Sequence, residues 1–209
     1  ADLETLLDPG DLLVANDSRV LPARLQGRKA ETGGAVEVLL LRPVDDRTWQ
    51  ALVRGRVRVG TRLSFVPRPG GAGSPVSARL VAGEVIAVRP DGVREVRFDR
   101  PIEPDLPAIG HVPLPPYIHE PLADAERYQT VYARVGGSAA APTAGLHFTP
   151  ELLEQLVARG VKRVNVTLHV GAGTFVPIEV EELSEHRMHA EWYEVDAGAL
   201  ATLGATRAA

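Results

Sequence analysis

The apolar and polar positions change their rhythm along the chain. Residues 11–16, Asp-Leu-Leu-Val-Ala-Asn, form a short apolar run closed by polar residues, which predicts a buried strand. From Pro22 to about Phe98 short alternating runs are separated by glycine and proline, predicting strands at 35–41, 48–53, 61–66, 76–88 and 93–98. Short strands at this spacing argue for a small β-barrel. The rhythm then changes again. Residues 126–133 and 151–157 read as helices, 161–170 alternate like a strand, and 196–209 are alanine-rich and helical behind a capping Asp196. A short helix is predicted at 3–7, stopped by Asp8-Pro9-Gly10.

The stretch from Ser138 to Ile178 draws these elements together. One small-residue loop carries His147 into the helix at 151–157, and the strand at 161–170 carries His169 into Gly171-Ala-Gly-Thr-Phe-Val-Pro. Loop, helix, strand and loop make an α/β unit of the kind that binds ligands at strand ends and helix starts. Thr143 or Thr149 near the helix start, and backbone N–H groups of Gly145, Gly171 and Gly173, are suited to an anion. The polar cluster Asn16-Asp17-Ser18-Arg19 follows the first strand and is either part of a site or a turn in which Arg19 pairs with Asp17.

Charge adds a second division. The net charge of −4 over 209 residues hides a basic stretch, with 11 Lys/Arg against 4 Asp/Glu between Arg19 and Arg68. From His111 onward the balance reverses to 7 against 12, and all six histidines lie there. A basic module joined to an acidic one is compatible with a polyanion bound on one face. Arg54, Arg56 and Arg58 recur at two-residue intervals and would share one face of an extended segment, with Arg24, Arg28, Lys29 and Arg62 nearby. A solvated strand face is the alternative reading.

The chain contains no cysteine, which excludes disulfides, thiol catalysis and cysteine-bound zinc within it. It has no long apolar run and no signal-peptide pattern, so a cytoplasmic protein is expected. Ala1 at the start and Thr206-Arg-Ala-Ala at the end suggest a processed or truncated product. His186 and His189, three apart, could join His147 or His169 around a metal if they lay on a helix.

Six segments carry a resemblance. They are Asp11-Leu-Leu-Val-Ala-Asn-Asp-Ser-Arg-Val-Leu-Pro-Ala-Arg-Leu, Gly110-His-Val-Pro-Leu-Pro-Pro-Tyr-Ile, Arg127-Tyr-Gln-Thr-Val-Tyr-Ala, Ala141-Pro-Thr-Ala-Gly-Leu-His-Phe, Thr167-Leu-His-Val-Gly-Ala-Gly-Thr-Phe and His186-Arg-Met-His-Ala-Glu. In this order they resemble the S-adenosylmethionine:tRNA ribosyltransferase-isomerase family. The resemblance implies an α/β domain, here 1–21 with 108–209 and truncated at both ends, into which a small antiparallel β-barrel, 22–107, is inserted. It implies transfer and isomerisation of the ribosyl part of S-adenosylmethionine onto a 7-aminomethyl-7-deazaguanine at the tRNA wobble position. By the same resemblance, epoxyqueuosine-tRNA is the expected product, with adenine and methionine leaving. S-adenosylmethionine is a consumed substrate, and no metal or resident cofactor is implied.

That reaction needs a base for the acidified 5′ C–H beside the sulfonium, an acid for departing adenine and a neutral attacking amine. Imidazoles suit both proton roles, so His147 and His169 are the expected catalytic residues. Thr143, Gly145, Gly171, Gly173, Thr174 and Asp17 are expected to bind S-adenosylmethionine, with Glu179 or Glu191 balancing the sulfonium. Arg19, Arg24, Arg54, Arg56 and Arg58 are expected to bind tRNA. The enzyme is expected to act as a monomer. Two other classes stay open at this point: an RNA-binding module without catalysis, and a metal-dependent hydrolase built on His147, His169, His186 and His189.

Overall fold

The computed structural model describes residues 2–68, 79–89, 92–115, 118, 120, 122, 124–171, 182 and 190–208. The strands are β1 (Leu12–Asn16), β2 (Ser18–Val20), β3 (Arg24–Lys29), β4 (Ala35–Pro43), β5 (Thr48–Arg54), β6 (Arg62–Phe65), β7 (Val81–Val88), β8 (Arg94–Phe98), β9 (Gly110–His111), β10 (Val135–Ser138), β11 (Lys162–His169) and β12 (Trp192–Glu194). The α-helices are α1 (Leu3–Leu6), α2 (Leu106–Ile109), α3 (Pro150–Ala158) and α4 (Ala197–Ala208). They fall into two compact units, Leu21–Leu114 and Ala1–Val20 with Pro115–Ala209.

In the unit Leu21–Leu114, strands β3, β4, β5, β8, β7 and β6 pair antiparallel in that order, and β6 returns to β3. The sheet is therefore closed, which leaves no edge along these strands. Alternation fills the interior: Leu25, Val38, Leu40, Leu63, Phe65, Val85, Val96 and Phe98 are buried, and Ile102, Leu106 and Ile109 join the same cluster. The Phe65 and Phe98 rings lie 6.0 Å apart. β9 adds to β3 at Arg24 and Leu25, so residues up to Leu114 belong with the barrel. A Cβ on Gly110 would sit inside the Pro22 carbonyl oxygen, so only glycine lets this strand approach.

The sequence expectation omitted β3, although β3 closes the barrel. Its residues, Arg-Leu-Gln-Gly-Arg-Lys, hold one large apolar side chain, so alternation is weak and the pairing is set by its neighbours. The expected strand at 76–88 is found as Val81–Val88, with 76–78 outside the described residues, as is most of the 67–75 loop.

In the other unit β1 and β11 run parallel from Leu12↔Lys162 to Asn16↔Val166, with β12 antiparallel beyond β11. β2 and β10 form a second parallel pair. α3 starts with the Thr149 hydroxyl accepting the Leu152 N–H at 3.2 Å and Pro150 in its first turn. It stops at Gly160, whose φ of 87° lets the chain turn back into β11. Asp196 caps α4 by accepting the Ala199 N–H at 2.8 Å.

The helix expected at 126–133 is instead a 3₁₀ turn over Ala125–Tyr128. At Gln129 the backbone becomes extended, and its side-chain amide exchanges two hydrogen bonds, both 2.9 Å, with the backbone of Val20. That amide imitates a strand beside β2. Of the two readings of the 16–19 cluster, the turn with Arg19 paired to Asp17 is not found: Arg19 pairs with Glu126, and Asp17 with Arg134.

Candidate active site

The carboxyl ends of β1, β10 and β11 meet in the unit that carries His169. Ligands in parallel α/β sheets characteristically bind at such strand ends. Asn16 terminates β1 and prolongs its pairing through its side chain: Nδ2 donates to Leu168 O at 2.9 Å, and Oδ1 accepts the Leu168 N–H at 3.0 Å. The same Oδ1 accepts the Ser18 N–H at 3.0 Å, which swings the chain from β1 into β2.

Asp17, at that crossover, is 0% exposed. Its Oδ1 accepts the Thr167 hydroxyl at 2.7 Å, and its Oδ2 accepts Arg134 Nη2 at 2.8 Å and Nε at 3.2 Å. A buried carboxylate is tolerable only with such partners, and charge-assisted bonds are the stronger kind. Arg134 and Val135 also donate their backbone N–H groups to Asp17 O, so one residue joins β1, β11 and the start of β10.

The next turn of the chain closes on β11. Ser138 Oγ donates to Ala140 O at 2.7 Å and accepts the Val170 N–H at 3.0 Å, while the Ala139 N–H donates to Val170 O at 2.9 Å. The loop after β10 is thereby fastened to the loop after β11. Gly171 donates its N–H to Glu191 Oε1 at 2.8 Å.

His169 is half-buried in the middle of this arrangement. Its ring stacks on Trp192 with centroids 4.9 Å apart and planes 19° from parallel. The other contact is Gly137, where φ is 143° and a Cβ would lie 2.6 Å from His169 Nε2. No residue but glycine fits there without moving the imidazole. Nδ1 is buried and has no hydrogen-bond partner among the described residues. Burial pushes the imidazole pKa below its ordinary value, and the negative charge of Asp17 opposes that shift only in part. The lowered proton affinity favours the neutral ring, the form that a general base needs.

A second part of the unit is built around Tyr132. Arg163 lies 5.8 Å over its ring, and Phe148 meets it edge-on at 6.1 Å. Burial raises the phenol pKa, against the nearby Arg163 charge, so the hydroxyl stays protonated. A Cβ on Gly145 would lie 2.5 Å from that hydroxyl oxygen, which packs the 3₁₀ turn Thr143–His147 against Tyr132.

The match to known proteins is specific. A family model described as queuosine biosynthesis protein matches residues 1–209. The chain belongs to the queuosine biosynthesis protein family. Family relatives named S-adenosylmethionine:tRNA ribosyltransferase-isomerase include one from Symbiobacterium thermophilum, 50% identical over 99% of this chain and 58% of its own length. Another, from Desulforamulus reducens, is 50% identical over 93% of this chain and 55% of its own length. The chain thus spans about half the length of the curated relatives it matches. A crystal structure of S-adenosylmethionine tRNA ribosyltransferase from Thermotoga maritima is 29% identical, covering 99% of this chain and 51% of that one, with a TM-score of 0.30.

Of the residues expected from the family likeness, Asp17, His169 and Gly171 come together, joined by Asn16, Arg134, Gly137, Ser138, Glu191 and Trp192. His147 is exposed at the end of its 3₁₀ turn, and no hydrogen bond or ring contact among the described residues joins it to His169. Thr143 is exposed at the start of that turn. The Gly145 N–H is used within the turn by Pro142 O at 2.7 Å, and the Gly171 N–H by Glu191. Gly173, Thr174, Glu179, His186 and His189 lie outside the described residues. Among the described residues no group of three or more His, Cys, Asp or Glu could hold a metal, and no helix is long and apolar enough to cross a membrane.

Arg19 is held by Glu126. Arg24 lies 3.6 Å and Arg54 3.8 Å from Glu37, so one carboxylate faces two of the expected tRNA-binding guanidiniums. β5 ends at Arg54, and Gly55 then takes a φ of 119°. The three arginines are therefore not on one straight strand, yet Arg54, Arg56 and Arg58 are all exposed while Val57 packs on the core. The residues that sequence reading passed over had only faint signals. Arg134-Val-Gly-Gly-Ser carries no pattern of its own, and its Gly137 matters because an imidazole 32 positions away rests on it.

Proposed function

We propose that the protein transfers and isomerises the ribosyl group of S-adenosylmethionine onto a 7-aminomethyl-7-deazaguanine at the wobble position of tRNA, releasing adenine and methionine. The observation that carries this reading is the 50% identity, over nearly the whole chain, to relatives named for that activity. The site geometry supports it. A half-buried imidazole whose burial favours its neutral form suits removal of the 5′ proton of the sulfonium substrate.

In this reading His169 is the base. Trp192 and Gly137 fix its ring, and Asp17 holds the strand ends together through Thr167 and Arg134. His147, exposed and two residues past the buried Gly145, is the acid for departing adenine. Thr143, Gly145 and Gly171 bind S-adenosylmethionine in this reading, which extends to Gly173 and Thr174 outside the described residues. Because the Gly171 N–H already holds the Glu191 carboxylate, a substrate carboxylate reaches it by replacing Glu191. Arg19, Arg24, Arg54, Arg56 and Arg58 contact the tRNA backbone.

Adenine release tests the reading. S-adenosylmethionine is mixed with the protein and an anticodon stem-loop carrying the aminomethyl-deazaguanine, and adenine is measured by chromatography. The reading predicts release that requires the modified base. Release without RNA, or binding of both ligands with no release, counts against it.

A further inference from the structure

His111 has no part in the chemistry above, yet it stands in an unusual place. On β9 it lies opposite Arg24 of β3. Arg68 joins them: its N–H donates to Ala108 O at 2.8 Å and its Nη2 to Pro107 O at 3.1 Å, both just ahead of β9. The carboxylate facing this group is Glu37 on β4, 3.6 Å from Arg24 Nη1. Burial, then Arg68, then Arg24 lower the proton affinity of His111, and Glu37 works the other way.

Arg24 and Arg68 both lie close enough to His111 to lower its proton affinity, and each keeps one donor unused. Arg24 Nε and Arg68 Nε are buried without a hydrogen-bond acceptor among the described residues. Those nitrogens are closed to solvent, but the Arg24 side chain as a whole keeps 28% of its surface exposed, and an oxyanion meeting that part supplies the missing charge. The approach of Glu37 to Arg24 and Arg54, at 3.6 and 3.8 Å, is longer than a hydrogen bond, so this carboxylate satisfies neither guanidinium fully. Beyond Glu37 the surface continues as a groove of about 630 Å³ whose lining includes Gln26, Arg28, Arg54 and Ser64. A chain of phosphates fits this sequence of features better than a single small anion.

We propose that Arg24, Arg68 and His111 form a binding site for a backbone phosphodiester of RNA, with Glu37 as an internal competitor that the phosphate displaces. The proposal rests on the tRNA-modifying reading, and it adds Arg68, His111 and Glu37 to the basic residues considered for RNA. Because the phosphate favours the imidazolium, binding takes up a proton, and affinity rises as pH falls.

The test is fluorescence anisotropy of a labelled anticodon stem-loop with this chain at about 0.1 M salt, where phosphate contacts are still strong, at pH 8 and pH 6. The parent is expected to bind severalfold more tightly at pH 6 than at pH 8. His111→Gln should abolish that gain. Arg68→Ala should lower the salt slope by about 0.7–0.9. Glu37→Gln should tighten binding severalfold, a result that misfolding cannot mimic. If the parent binds RNA but all three variants keep its affinity, slope and pH response, the phosphate site is refuted and the RNA reading survives. If the parent binds no RNA even at low salt, both fall.

Discussion

His169 is defined by what touches it rather than by what it bonds. Trp192 covers one face, Gly137 leaves room at Nε2, and Nδ1 is buried without a partner among the described residues. The proposal that His169 is the base predicts that His169→Ala lowers kcat by about 10²–10⁴-fold with intact folding. The pH dependence follows from the direction of its pKa. The neutral form is the working form, so activity is full above the depressed pKa and is lost as pH falls through it. The acid limb of the rate profile should therefore lie below the ordinary histidine value, and Trp192→Leu, by exposing the ring, should move it upward. Ring titration by NMR checks the same shift without turnover.

Two further substitutions belong at this scale. Gly137→Ala places a methyl against Nε2 at a positive φ, and is expected to cost about 1–3 kcal/mol in thermal denaturation while impairing turnover. Asp17→Ala strands the Thr167 hydroxyl and leaves a hole among the strand ends, for about 1–3 kcal/mol. The sequence pointed to His169 and Asp17, since each ends an apolar run in a polar or glycine-rich loop. It could not point to Gly137 or Trp192, because their roles depend on an approach between residues 32 and 23 positions from His169. Nor could it show that the Gly145 and Gly171 N–H groups have internal acceptors.

Among the elements, those with strong local signals appear where the pattern places them. α3 is the clearest case, with its cap, its proline and its glycine stop, and Thr149→Ala should destabilise it by about 1 kcal/mol, seen as a lower Tm. β3 is the opposite case. Its pattern is poor, and it exists because β4, β6 and β9 all offer it partners. The segment 126–133 failed as a helix because Gln129 bonds Val20, more than 100 residues earlier, and no local propensity reports that. Gly110→Ala should be among the most damaging single changes in the barrel unit, since the Pro22 carbonyl leaves no space for a methyl.

For the whole molecule, charge and topology divide the chain in related but unequal ways. The basic stretch Arg19–Arg68 falls almost wholly in the unit Leu21–Leu114, and the acidic remainder largely in the other. His111, counted with the acidic part in sequence, belongs to the barrel through β9. Such assignments are invisible to composition because they depend on strand pairing. Charge reversal at Arg54, Arg56 and Arg58 together should weaken RNA binding and flatten its salt dependence, by up to about 0.9 in slope for each phosphate left without its cation.

The central claim concerns a group transferred between two molecules, so the most direct measurement follows that group. S-adenosylmethionine labelled in its ribose is incubated with the protein and the aminomethyl-deazaguanine stem-loop, and the RNA is isolated and counted. The account predicts label in the RNA, matched by adenine released, and suppressed by His169→Ala. Label that never enters the RNA while the protein binds both substrates, or that enters equally well in the His169→Ala variant, would contradict it.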